Sequence, residues 1–204
     1  MTKIAFPLIL GTANAKKVVE IRAILKEGGI PVAPWPSQVP MPPVIEDGET
    51  FLANAVKKAV SLARALGGDT WVLADDSGLE VDALGGRPGV RSHRYAGEPP
   101  DDAKNNRKLL EEMRGDPPGK RTARFRCAVA LANGAGRTIA AEGSCEGVVA
   151  EAPRGDNDFA YDPVFYYPPL ARTFAELAPA EKNRVSHRAA ALANLVEKLK
   201  MFAF

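Results

Sequence analysis

Asp75-Asp76-Ser77-Gly78 directly follows an apolar run, Trp71 to Ala74. Adjacent carboxylates at a strand end suit a hard cation such as Mg²⁺, which takes oxygen ligands and bridges to substrate phosphates. One of the pair can also orient a water as general base. The same four residues suit a plain turn, because Asp-Ser-Gly is common turn chemistry. Glu46 and Glu49, on either side of Asp47-Gly48, add carboxylates or sit as solvated charges near a helix start.

Two further polar loops carry chemistry. Thr12-Ala13-Asn14-Ala15-Lys16-Lys17 leads onto a helix N-terminus. Exposed N–H groups there favour an anion, and Lys17 can reach a phosphate, although the P-loop spacing is absent. An Asn cap with solvated lysines explains the same residues. Asp158-Phe159-Ala160-Tyr161-Asp162-Pro163 offers an aromatic face for a base, with Lys182, His187 and Arg188 further on. Lysine and arginine suit phosphate or carbonyl oxygens, arginine as a fork. A histidine just after Ser186, at a helix start, is equally at home as a surface or capping residue. Nucleophilic catalysis fits less well: Ser77 has no G-x-S-x-G context, and Cys127 and Cys145 have no evident histidine partner.

The elements that must position these loops follow from hydrophobic periodicity. Lys3 to Leu10 reads as a buried strand, followed by a helix with Val18, Ile21, Ile24 and Leu25 on one side, stopped by Gly28-Gly29. Six prolines in residues 31–43 exclude a helix there. A second helix spans Thr50 to Leu66 and ends at Gly67-Gly68. Trp71 to Ala74 is a short strand, residues 85–100 a long structured loop, and a third helix runs from about Asp101 to Gly115. Thr122–Ala132 and Arg137–Ala150 form β-rich runs joined by a hairpin turn at Asn133-Gly134-Ala135-Gly136. Phe165-Tyr166-Tyr167 follows a polar loop, and a last helix begins near Ser186.

Composition removes several classes of function. The chain has 204 residues with 46% hydrophobic and 25% charged, ordinary for one globular domain or two small lobes. Lys+Arg is 27 against Asp+Glu 25, so no whole-protein basic field marks a stable nucleic-acid partner. Two cysteines and two histidines argue against a disulfide framework and a zinc cluster, and fit a reducing compartment. No apolar run approaches the roughly 18 residues of a membrane span, and the run at Ile4–Leu10 lacks a signal-peptide cleavage site.

Taken in order, the motifs resemble the inosine/xanthosine triphosphate pyrophosphatase family, the Ham1/RdgB-like enzymes. The resemblance covers nearly the whole chain. It is carried by Thr12-x-Asn14-x-x-Lys17-x-x-Glu20, Glu46-Asp47-Gly48-Glu49-Thr50-Phe51 with Asn54-Ala55, and the specific run Ala74 to Gly86 that starts Asp75-Asp76-Ser77-Gly78. Pro88-Gly89, Arg94-Tyr95-Ala96-Gly97, Phe159 to Pro163, Glu181-Lys182 and Ser186-His187-Arg188 complete it. The resemblance implies an α/β fold: an elongated mixed β-sheet flanked by helices, residues 1–204 forming one domain of two lobes with a central nucleotide cleft. It implies Mg²⁺-dependent hydrolysis of ITP, dITP and XTP to monophosphate and pyrophosphate by a cytoplasmic homodimer. Asp76 matches the catalytic base and, with Glu46 and Asp75, the metal carboxylates. Thr12, Asn14, Lys17 and Ser77 match the phosphate contacts. Phe159, Ala160, Tyr161 and Asp162 match the base loop, and Lys182, His187 and Arg188 the remaining nucleotide contacts. Ala160 stands where the family usually has glycine, Ala53 where an acidic residue is common, and His93 where a small residue is frequent.

The implied chemistry is attack of water at the α-phosphorus, with charge stabilisation and in-line positioning supplying most of the rate. A 6-keto oxygen distinguishes hypoxanthine and xanthine from adenine, so a buried donor rejects adenine by leaving its amino group unpaired. Two rivals differ in class: a Maf-like pyrophosphatase with another base preference, and a non-catalytic nucleotide or RNA-binding module.

Overall fold

The computed structural model describes residues 6–201. Lys3, Ile4 and Ala5 of the expected first strand lie outside them. Seven strands form one mixed sheet in the order β2-β1-β3-β4-β5-β6-β7, flanked by five α-helices. They are β1 (Leu8–Leu10), β2 (Val32–Ala33), β3 (Trp71–Val81), β4 (Thr122–Asn133), β5 (Thr138–Val149), β6 (Phe165–Tyr167) and β7 (Arg172–Thr173). β1 runs parallel to β2 and β3, with Ile9 opposite Ala33 and Val72, whereas β6 pairs antiparallel with β5 and β7. The mixed α/β architecture is the one expected from the sequence.

The helices are α1 (Ala15–Glu27), α2 (Phe51–Leu66), α3 (Asp102–Glu112), α4 (Pro179–Val185) and α5 (His187–Met201). Three start on side-chain caps that satisfy otherwise unpaired N–H groups. Asn14 Oδ1 accepts from Lys17 N at 3.1 Å, Thr50 Oγ1 from Ala53 N at 3.1 Å, and Asp101 Oδ1 from Lys104 N at 2.9 Å. The hairpin turn is closed by Gly136 N–H to Asn133 O at 3.0 Å. No described helix is long and apolar enough to cross a membrane.

Two expectations need correction. The strand read as Trp71–Ala74 continues to Val81, so Asp75-Asp76-Ser77-Gly78 is extended chain rather than a turn. Aspartate makes turns when its carboxylate bonds its own backbone. Here both carboxylates are engaged by other elements, and the strand is left free to continue. Gly78 permits it: a Cβ there would meet Ser92 Oγ at 2.3 Å and Gly89 O at 2.7 Å. The second correction is α4, a seven-residue helix with Pro179 in its first turn where no helix is expected. It is too short to show an amphipathic period.

By internal contacts the chain divides into two units. The first comprises the chain up to Asp76, Cys127–Gly143 and the stretch from His187 onward; the second comprises Ser77–Arg126 and Ser144–Ser186. In the first unit Leu8, Leu10, Leu73, Val129 and Leu131 from the strands pack with Ile21 and Leu25 of α1 and Leu192 and Leu195 of α5. In the second, Phe125, Phe165 and Phe174 form an aromatic centre, with ring centroids 4.5 Å apart (Phe125 and Phe165) and 4.8 Å apart (Phe165 and Phe174), in the tilted range that aromatic pairs favour. Cys127 and Cys145 are both free and buried, one in each unit.

Gly143 shows how tightly α5 meets β5. A Cβ at this position would lie 2.2 Å from Ala191 N and 2.7 Å from His187 O, both backbone atoms. Gly143→Ala is expected to cost about 3 kcal/mol through this overpacking, read as a lower urea midpoint with an unchanged m-value.

Candidate active site

In the first unit, the strand alternation of β3 turns Asp75 and Asp76 to opposite faces, and each meets different helices. Asp75 meets cations from two helices. Lys17 Nζ of α1 lies 2.9 Å from its Oδ2, and Arg188 Nη2 of α5 lies 3.3 Å from the same oxygen. Arg188 also pairs with Glu20 of α1. Arg188 and Asp75 are each 1% exposed. Burial by itself raises the Asp75 carboxyl, but the charges of Lys17, Arg188 and Lys58 outweigh it and hold the group below the usual range. Burial likewise opposes the Arg188 charge, and Asp75 and Glu20 outweigh it.

Asp76 is in the opposite condition. Burial pushes its carboxyl up to about 6 despite the hydrogen bond from Asn54, and the Glu46 charge adds to the rise. Asn54 Nδ2 of α2 donates to Asp76 Oδ2 at 2.9 Å, while Asn54 Oδ1 accepts from Gly48 N at 2.7 Å. One amide therefore ties the acidic loop at Glu46–Glu49 to Asp76. A Cβ on Gly48 would fall 2.7 Å from Asn54 Oδ1, which accounts for the glycine. Glu46 forms an ion pair with Lys58 of α2, one turn beyond Asn54, and Lys58 Nζ also lies 3.4 Å from Asp75 O.

Among the described residues no three His, Cys, Asp or Glu side chains gather into a metal site on their own. Asp75, Asp76 and Glu46 are thus not a ready-made three-carboxylate cage. The donor chemistry still fits Mg²⁺, which uses one or two carboxylates together with water and phosphate oxygens. Asp76 and Glu46 repel each other, and Asp75 Oδ1 is buried without a hydrogen-bond partner among the described residues. Asp76 with Glu46 could hold the ion, with Asp75 as a fixed charge behind them.

Thr12 and Asn14 serve the start of α1. Thr12 Oγ1 accepts from Asn14 N at 3.2 Å and Asn14 caps the helix, leaving Lys17 in its first turn. His187 opens α5 and is 4% exposed, which excludes the surface-histidine reading.

In the second unit, Ser77 lies half-buried on β3 just past the two aspartates. Lys182 of α4, 2% exposed, forms an ion pair with Asp162, itself 1% exposed. Asn157 Nδ2 donates to Asp162 Oδ2 at 3.2 Å. Lys182 Nζ stands 5.0 Å from the centroid of the Phe159 ring, a cation–π distance. The buried ammonium thus reaches the aromatic loop. Tyr161 is buried, and its hydroxyl donates to Ser92 O at 2.9 Å. It anchors this loop.

Lys58, Asn54 and Glu20 carry parts of the first cluster to which sequence reasoning gave no role. Their signal was spacing: Asn54 and Lys58 stand four apart on α2, and Lys17 and Glu20 three apart on α1.

The model of the Ham1 family matches residues 8–198. The chain belongs to the Ham1 family. It is 51% identical over 191 residues to a dITP/XTP pyrophosphatase of Geobacillus kaustophilus, covering 94% of this chain and 93% of the relative. A dITP/XTP pyrophosphatase of Desulforamulus reducens is 50% identical over 94% of each chain. Among solved structures, a Ham1 protein of Coxiella burnetii superposes with a TM-score of 0.84 at 39% identity, covering 97% of this chain and all of that one. The resemblance seen in the motifs therefore extends over nearly the whole chain.

Two consequences of this Ham1-family electrostatics can be measured. The folded state raises Asp76 from 3.8 to about 6, so it binds that proton more tightly than the unfolded chain does. Its contribution to stability therefore falls as pH rises from about 4 to about 6, and the penalty persists above. Asp76→Asn should raise unfolding free energy at pH 7.5, without added metal, by about 3 kcal/mol, a gain absent below about pH 4. Turnover should fall at least about a hundredfold if the side chain orients the attacking water. Arg188→Leu should instead cost about 3–5 kcal/mol, because Asp75 and Glu20 lose a buried partner; denaturant unfolding at neutral pH checks it.

Proposed function

We propose that this protein hydrolyses ITP, dITP and XTP to the nucleoside monophosphate and pyrophosphate, with Mg²⁺ as cofactor. The reading is carried by likeness, over nearly the whole chain, to relatives named for dITP and XTP pyrophosphatase activity. Residues 1–204 work as one two-lobed domain, acting as a homodimer on the cytoplasmic nucleotide pool. The buried thiols, with no disulfide, are consistent with a reducing compartment.

The carboxylate cluster handles the phosphates. Bound at Asp76 and Glu46, with Asp75 nearby, Mg²⁺ would neutralise phosphate charge and polarise the scissile anhydride. Asp76 accepts a hydrogen bond from Asn54, which fixes its carboxylate to receive the proton of a water attacking the α-phosphorus. The bond from that phosphorus to the bridging oxygen breaks, and pyrophosphate leaves. Lys17, in the first turn of α1, stabilises the charge on the leaving group, helped by the helix N-terminus. Thr12, Asn14 and Ser77 line the phosphate path. His187 and Arg188 begin α5 and complete the nucleotide contacts, Arg188 through its grip on Asp75.

The Phe159 loop handles the base. Phe159 stacks on the purine, while Lys182 meets the 6-keto oxygen. Adenine would leave the donor without an acceptor, a costly mismatch in a buried site. Ala160, Tyr161 and Asp162 shape this loop.

A steady-state panel of ITP, XTP, dITP, GTP and ATP, with and without Mg²⁺ and with both products identified, tests the reading. The expected result is Mg²⁺-dependent pyrophosphate release, with kcat/KM for ITP, dITP and XTP at least about a hundredfold above ATP and GTP. Equal specificity constants would sink it. Preference for pyrimidine or modified-base triphosphates would support the Maf-like rival, and binding without turnover the non-catalytic one.

A further inference from the structure

Ala160 lies in the Phe159–Asp162 turn, closed by Asp162 N–H to Phe159 O at 3.0 Å, and has φ of 51°. That is the left-handed region, which a residue with a Cβ adopts only when its surroundings hold it there. The surroundings are two side chains one turn apart on α3. Asp102 Oδ2 accepts from Ala160 N at 2.9 Å, and Asn106 Nδ2 donates to Ala160 O at 2.9 Å. Both polar groups of this one residue are thus gripped from a rigid helix. Asn106 is 8% exposed, and its Oδ1 has no hydrogen-bond partner among the described residues. The orientation of its amide is therefore set by the Ala160 carbonyl.

The same face of α3 holds the neighbouring loop. Asn105 Oδ1 accepts from Ala96 N at 2.7 Å, and Asn105 Nδ2 donates to His93 O at 3.0 Å. Tyr161, next to Ala160, bonds Ser92 O at the start of that loop. The adjacent pair Asn105-Asn106 inside α3 is weak in helix propensity, while Asp102 stands in the first turn, where a carboxylate is favoured. What the pair does here is make loop contacts.

We infer that Asp102 and Asn106 are positioning residues for base discrimination: they fix the Ala160 peptide in its left-handed conformation and thereby set where the Phe159 ring meets the purine. The inference rests on the proposed reading of the Phe159 loop as the base-binding loop. It also explains how alanine serves where the family usually has glycine. The helix supplies the constraint that backbone freedom would otherwise leave open.

The test uses the full chain with Mg²⁺. Asn106→Asp keeps the shape but sets a carboxylate against the Ala160 carbonyl, and Asp102→Ala removes the acceptor. Each should raise KM for dITP about tenfold and lower the dITP-over-dGTP preference about tenfold, with kcat within about threefold of wild type. Asp102→Asn, which keeps an acceptor oxygen, should restore most of the preference. Hydrogen exchange at the Ala160 amide gives a readout besides activity: protection should drop about tenfold or more in Asp102→Ala and persist in Asp102→Asn. Asp102 is half-buried in the first turn of α3, so it carries the test if Asn106→Asp does not fold. An unchanged nucleotide preference in folded variants, or unchanged amide protection, overturns the inference. A wild-type protein indifferent between dITP and dGTP would overturn the proposed base selectivity instead, and the exchange measurement would then decide the clamp by itself.

Discussion

Two neighbouring carboxylates on one strand are buried in opposite electrostatic states, and the first unit is arranged around keeping them so. A buried charge survives only when opposite charge and hydrogen bonds compensate its lost hydration. Asp75 has that compensation from Lys17 and Arg188 and stays ionised. Asp76, one residue on, has a neutral amide and a like-charged neighbour, and its proton is held more tightly. Strand alternation makes the contrast possible, because adjacent residues address different helices. Groups whose environments push their ionisation apart are how proteins assign acid–base roles.

Keeping that contrast requires several elements at once. α1 supplies Lys17 and Glu20, α2 supplies Asn54 and Lys58, and α5 supplies Arg188. α1 and α5 are also anchored by apolar side chains in the core of the first unit, and α2 buries Phe51, Ala55, Ala59 and Leu62. Gly48 and Gly143 are two of the points where a Cβ would fall too close to a neighbouring helix. In the second unit the polar arrangement has another purpose. There Asp162 and Lys182 neutralise each other beside Phe159, and α3 holds loops through the Asn105 and Asn106 amides together with the Asp102 carboxylate.

Much of this was legible in the sequence where one local signal sufficed. The cap at Asn14, the glycine stop at Gly67 and the hairpin at Asn133–Gly136 all lie where turn and cap chemistry puts them. The ordered motifs located the family. What was not legible depended on partners distant in sequence. β3 looked as if it ended at Ala74 because two aspartates are poor strand formers, and the groups that engage them come from α1, α2 and α5, distant in sequence. Arg188 read as a ligand contact, yet its nearest obligations are Asp75 and Glu20, 113 and 168 residues away. Tyr161 read as part of the base loop, yet its hydroxyl is tied to Ser92. The α4 helix was too short to announce itself by period.

Cys127 lies on β4 within the field of Arg188, Asp75 and Lys17. Burial pushes its thiol up to about 12, and burial does the same for Cys145. Thiol oxidation proceeds through the thiolate and needs access, and neither condition is met here. The charge network is thereby insulated from redox state: oxidants that modify exposed thiols find no entry beside Asp75. The Asp75 cluster thus has no accessible thiol beside it.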